Sequence, residues 1–276
     1  MGSIPSITAK DLISQLDAAG IQRALVLSVA YMYGSPARKV EDEYAKVRAE
    51  NDWTAAQVGQ YPDRLRAFCG FNPLKDYALA ELERCAADPI LRRGIKLHFG
   101  NSDVQVEDPQ QLERLKAVFR AANKHRMAIL VHMHANINNH RPYGAAQARI
   151  FLEQLLPLVP GVPVQIAHLA GAGGYNDPTV DAAMGVFADA VQRHDRRTRN
   201  LWFDVTSVAG AEELSAETTA LVVKRIRQVG VDRVVYGSDA SVGGNTPSAG
   251  WAAFRRLPLT AAEFDRIAGN LAPYMR

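Results

Sequence analysis

Five ionisable residues recur along this chain at a nearly constant interval, each closing a short apolar run. They are Lys96, His132, His168, Asp204 and Asp239, spaced 36, 36, 36 and 35 residues apart. This period constrains the fold more than any other feature. A strand–helix–strand unit needs about 30 residues, so each interval has room for one such unit. Seven runs read as strands: residues 24–28, 67–71, 94–98, 128–132, 164–168, 201–205 and 234–239. Most are apolar throughout, as in parallel strands covered on both faces. Helical patterns fill the gaps. Thr8 and Asp11 form a capping box before Leu12, Ile13 and Leu16, a helix start that ends at Gly20. Further stripes run over residues 37–60, from Leu112 to Phe119, from Phe151 to Leu156, from Val180 to Val191 and from Leu221 to Val229, and Thr260 with Glu263 caps the last helix. Such alternation gives a (β/α)₈ barrel or a doubly wound sheet. We expect one TIM-barrel domain over residues 1–276. A barrel opens with a strand, yet the first clear element is the helix from Thr8, so the first strand is expected to be missing.

Composition excludes several classes. The 276 residues carry 32 Lys and Arg against 29 Asp and Glu, net +3, dispersed along the chain. No basic stripe for nucleic acid is present. No run approaches the roughly 18 apolar residues of a membrane helix, and the first residues lack the regions of a signal peptide. Cys69 and Cys85 are too few and too far apart for a disulfide framework. They read as buried free thiols, which suits a cytoplasmic protein.

In a (β/α)₈ barrel, chemistry sits at the C-terminal ends of the strands. Here those ends carry Lys96 and His98, His132 and His134, His168, Asp204, and Asp239. A purely structural barrel has no reason to load one rim with ionisable groups. A lone imidazole after a fully apolar run, as at His132, is costly unless partnered. His168 precedes Leu-Ala-Gly-Ala-Gly-Gly, a loop that lets backbone approach a ligand. Asp239, read as a buried carboxylate, needs a cation or a proton. Asp204 divides evenly between structural pairing and the site. Lys96 reads equally as a partner for a substrate carboxylate or for a nearby acid. His and carboxylate groups together suit zinc or a similar divalent ion, which lowers the pKa of a bound water toward neutrality.

The segments Leu16–Ile21, Gly94-Ile95-Lys96-Leu97-His98, Val131-His132, Ala167-His168-Leu169-Ala170-Gly171, Tyr236-Gly237-Ser238-Asp239 and Ile267–Asn270 resemble the amidohydrolase superfamily, in particular its aminocarboxymuconate-semialdehyde decarboxylase-like branch. The resemblance runs from about Thr8 to the C-terminus. It implies a metal-dependent hydrolase barrel in which His132 and Asp239 are metal ligands. His168 is a second-metal ligand or an acid/base group, Asp239 is also the proton shuttle, and Lys96, His98 and His134 lie toward the substrate. The family opens with a His-x-His pair on its first strand. This chain has none there; His132-x-His134 has the spacing but sits on another strand.

The resulting expectation is a hydrolase of small amides, lactones or esters, using a divalent metal, expected to be zinc, and forming a homodimer by resemblance. The same groups would serve non-oxidative decarboxylation of an unsaturated acid. A catalytically impaired barrel used for binding or association is the third reading. The small-molecule substrate has no nucleic-acid or membrane counterpart.

Overall fold

The computed structural model describes residues 7–209, 214–240 and 245–276. Residues 1–6, on which the expectation about a signal peptide falls, lie outside the described residues. In chain order the elements are α1 (Ala9–Ala18), β1 (Ala24–Leu27), α2 (Glu43–Val58), β2 (Leu65–Gly70), α3 (Ala78–Ala87), β3 (Gly94–His98), the single turn α4 (Phe99–Ser102), α5 (Pro109–Lys124), β4 (Ala128–His132), α6 (Ala145–Ile150), β5 (Val164–Ile166), α7 (Pro178–Gln192), β6 (Leu201–Asp204), α8 (Ala216–Val229), β7 (Val234–Val235), α9 (Pro247–Phe254) and α10 (Ala261–Gly269). All seven expected strands form: β3 and β4 keep the expected bounds, β2 starts two residues earlier and ends one earlier, and the other four stop short at their C-terminal ends. Both expected capping boxes are present, Thr8 with Asp11 and Thr260 with Glu263. The long second helix starts at Glu43 rather than near Ala37.

Every strand pairs in parallel with its neighbours in sequence, in the order β1 to β7. This is the winding of a barrel, with each crossover helix returning the chain to the next position. No pairing joins β7 to β1 among the described residues, so the sheet is curled and open.

Side-chain alternation then sorts each strand into two faces. The outward residues, such as Val26, Ile95, Leu97, Ile129, Val131, Val164, Ile166 and Phe203, pack under the helices in the main core. The inward residues, Leu25, Leu27, Phe68, Ala128, Leu130, Trp202 and Val235, gather in a second cluster. Side chains from five strands meet there, which only a curled sheet allows. Ala272, Tyr274 and Met275 complete that cluster, so the chain's last segment fills the inside of the curl. Gly94 makes room within it: a Cβ at that position would lie 2.4 Å from the Phe68 ring.

One expectation is overturned. Cys69, on β2, and Cys85, on α3, are not free thiols but a disulfide. α3 packs over β2 with the two Cα atoms 6.3 Å apart, within bonding reach. Sequence spacing could not show that approach. No described helix is long and apolar enough to cross a membrane.

Candidate active site

The same alternation that puts Ile95 and Leu97 under the helices turns Lys96 and His98 inward at the end of β3. On β4 it turns His132 inward. The β3–β4 register sets His98 directly opposite His132, and their rings stack with centroids 3.9 Å apart. His168, two residues past the end of β5, meets His132 edge to face at 5.1 Å. Tyr31, from the turn after β1, lies 5.0 Å from His98. Lys96, His98, His132 and His168 thus form one group at the C-terminal rim.

Burial governs the charge states. Burial lowers the His98 pKa to about 3, with repulsion from Lys96 and His168 adding to it. Burial holds His132 well below the usual histidine range, and the neighbouring His98 and His168 push the same way. Both rings are therefore neutral near pH 7. Lys96 is 5% exposed. Burial lowers its pKa to about 8, against the attraction of Asp204 and Asp239. Its ammonium makes no hydrogen bond with a described residue.

Hydrogen bonds assign two tautomers. The Thr206 carbonyl lies 2.9 Å from His168 Nδ1. A carbonyl only accepts, so Nδ1 carries the proton and Nε2 keeps a free lone pair. His98 is the reverse: its Nδ1 accepts the Asn101 N–H at 3.0 Å, which leaves the proton on Nε2. His98 is thus a hydrogen-bond donor toward the site and offers no free nitrogen lone pair. His132 has no ring hydrogen bond among the described residues.

Asp204 resolves toward a positioning role. It is buried, and Oδ1 accepts the N–H groups of His168 at 2.9 Å and Thr206 at 3.2 Å while Oδ2 accepts Gln165 Nε2 at 2.7 Å. Those bonds hold a strained turn. His168, Leu169 and Ala170 are three successive left-handed residues, with φ of 55°, 47° and 66°. Left-handed backbone costs about 1–2 kcal/mol per non-glycine residue, and such strain persists only where surroundings over-determine it. Asp204 secures one end of the turn, and the Tyr143 hydroxyl, donating to the Ala170 carbonyl, secures the other.

The remaining expected residues lie at the edge of this group, within electrostatic reach of it. His134 faces Asp177 at 3.4 Å and the Tyr143 ring at 4.4 Å. Asp239 is exposed, not buried, in a left-handed conformation four residues past the end of β7. Its approach comes from the segment Tyr236-Gly237-Ser238. Gly237 is needed there because a Cβ would fall 2.1 Å from Thr206 Oγ1. Among the described residues, no three rim donors bring one ligand atom each within 4.8 Å of one another. The His132 ring and the Nε2 of His168 have no hydrogen bond among the described residues; Asp239, as placed, does not close a three-ligand site with them.

Sequence reading did not find Gln165, Thr206, Tyr143 or Tyr31. Gln165 had a signal, a lone amide inside an apolar strand. The others had none, because their roles depend on how distant loops meet.

An open (β/α) barrel with buried histidines and a lysine on the C-terminal rim belongs to the class of barrel enzymes. More particularly, the chain belongs to the amidohydrolase family of enzymes, whose model matches residues 16–270. No curated protein sequence matches it. Among solved structures it is similar to 5-carboxyvanillate decarboxylase from Sphingomonas paucimobilis, at 16% identity over 93% of this chain and 79% of that one, TM-score 0.63. It is also similar to a dihydroxybenzoic acid decarboxylase from Polaromonas sp. JS666 with bound manganese, at 16% identity over 93% and 82%, TM-score 0.60. A third is a probable 2-pyrone-4,6-dicarboxylic acid hydrolase from Acinetobacter baumannii with citric acid bound, at 16% identity over 97% and 88%, TM-score 0.62. At these identities the likeness is one of fold.

Proposed function

We propose that the chain hydrolyses an ester, lactone or amide bond in a small carboxylate-bearing molecule. The observation that carries this reading is Lys96, a buried ammonium without a hydrogen-bond partner among the described residues. A substrate carboxylate would supply that partner. The His98 Nε2–H would donate a second bond to the substrate, and His134 would lie at its edge. His168, its tautomer set by Thr206, would accept and return a proton at Nε2. Asp239, on an accessible segment, would exchange protons with solvent.

The cofactor of this reading is a divalent metal held by His132; His168 would bind it only in place of its acid/base role, because both use Nε2, and Asp239, as placed, does not complete a three-ligand site. When bound, the metal would lower the pKa of a water ligand toward neutrality. Imidazole ligands suit zinc, and the similar Polaromonas decarboxylase carries manganese; either ion serves the reading. The disulfide removes the thiol argument for a cytoplasmic location, and homodimerisation rests on family resemblance alone.

The decarboxylase neighbours favour a second reading, in which the same groups deliver a proton to the carbon that loses carbon dioxide. The two-imidazole donor set favours a third, a barrel that binds without turnover. One experiment separates them. The purified chain, with zinc or manganese added, is offered hydroxybenzoates and a pyrone dicarboxylate in ¹⁸O-labelled water. Label in the product supports hydrolysis, and released carbon dioxide supports decarboxylation. Binding of the acids without product, abolished by Lys96→Met, would replace both with the binding reading.

A further inference from the structure

Opposite the catalytic rim, at the N-terminal ends of β3, β4 and β5, an open cleft of about 410 Å³ is walled by Pro163 and Pro273 and lined by Arg92, Arg93, His125 and Arg126. Eight arginines elsewhere in the molecule are held by acids. Arg64, Arg84, Arg114, Arg141, Arg197, Arg225, Arg227 and Arg266 each form an ion pair with a carboxylate. Arg92 and Arg126 form none among the described residues. Arg93 donates to the Tyr274 carbonyl and to the terminal carboxyl group of Arg276, and Arg66, close enough to repel it, donates only to the carbonyls of Pro62 and Leu65. Glu83, the acid beside His125, is already engaged by His125 and Lys124. In a chain of net charge only +3, four guanidinium groups share one end of the barrel, and among the described residues no Asp or Glu side chain bonds to any of them.

Arg126 adds an independent observation. It follows α5 with φ of 56°, the left-handed position after a helix that glycine or asparagine fills at least cost. The residue that stands there instead is a strained arginine whose side chain lines the cleft.

We propose that this cleft is a binding site for a small, multiply charged oxyanion, distinct from the catalytic rim. Arg92, Arg93 and Arg126 supply planar forks that match phosphate or carboxylate oxygens. Pro163 and Pro273 form apolar walls for the body of the ligand. Phosphate esters and polycarboxylates share this chemistry.

Pyrophosphate and citrate, titrated by calorimetry at constant ionic strength, are the probes. The proteins are the wild type, Arg92→Gln, Arg126→Gly, Lys96→Met, and Arg114→Gln as a charge control. Loss of one charge-assisted contact weakens binding roughly tenfold. We expect that loss in Arg92→Gln and Arg126→Gly, and unchanged affinity in Lys96→Met and Arg114→Gln. The tighter probe identifies the ligand as phosphate- or carboxylate-bearing. Because glycine relieves the left-handed strain, Arg126→Gly should unfold at the same or a higher temperature than wild type, so lost binding is not lost folding. Absence of binding at millimolar probe, binding unaffected by the two cleft variants, or binding abolished by Lys96→Met would each overturn the proposal.

Discussion

Replacing Lys96 by methionine should make the protein more stable at neutral pH. The ammonium is buried, and its pKa falls from 10.5 to about 8. Below pH 8 the lysine is charged in both the folded and unfolded chain, so the folded state carries the whole cost of burying the charge. At 1.36 kcal/mol per pKa unit, that cost is about 3 kcal/mol. Between pH 8 and 10.5 the folded protein sheds the proton and the unfolded chain keeps it, so wild-type stability gains as pH rises. Above 10.5 the cost is gone. Methionine has similar length and no charge, and Asp204 keeps its three hydrogen bonds without the ammonium. Lys96→Met should therefore exceed wild type by about 3 kcal/mol at pH 7, roughly 5–10 °C in Tm, and the difference should vanish near pH 11. Urea unfolding of both proteins at pH 7, 9 and 11 measures it. A variant no more stable than wild type at pH 7, or a gap that does not close with pH, would refute the reasoning that Lys96 is held at the expense of stability. The same variant should lose affinity for carboxylate substrates.

Three further outcomes follow from the geometry. In ¹⁵N NMR, His98 should remain the neutral Nε2–H tautomer down to about pH 4; because its folded pKa is lowered to about 3, the stability it contributes is full above the unfolded value near 6.5 and is lost as pH falls toward 3. Gly237→Ala should destabilise by about 2 kcal/mol or more through collision with Thr206 Oγ1, and a second change, Thr206→Ala, should recover part of that loss in thermal unfolding. Denatured protein should show no free thiol, and Cys69→Ser with Cys85→Ser should cost about 3 kcal/mol for a loop of this length, read by urea unfolding against the native chain.

Much of the rim was legible because its information is local. A run such as Ala128–His132 is apolar on both faces, so it reads as a buried parallel strand, and period-2 alternation places His132 and Lys96 inside. The capping boxes at Thr8 and Thr260 are four-residue patterns and needed no tertiary context. What escaped the sequence depends on distance across the fold. The Cys69–Cys85 bond exists because α3 lies on β2. The left-handed turn at His168 exists because Asp204 and Tyr143, from two other segments, hold its ends. Asp239 read as buried because it ends an apolar run, but β7 stops at Val235 and the chain has turned outward by the time it reaches the carboxylate. The arginine cleft was invisible for the same reason: Arg126 is more than thirty residues from Arg92 and Arg93, and they meet only where strand beginnings converge.

The placement of Ala272, Tyr274 and Met275 inside the curl bears on how the molecule is made. These residues leave the ribosome after every strand they cover. Until they do, Phe68, Ala128 and Leu130 line a surface whose filler has not been synthesised, although the helices can already cover the outer faces. The inner core is therefore complete only once residues 272–275 lie beneath the strands and Tyr274 reaches Gln165. Any nascent chain that stalls short of its final residues is left with an uncovered apolar trough, a form suited to capture by a chaperone or a protease.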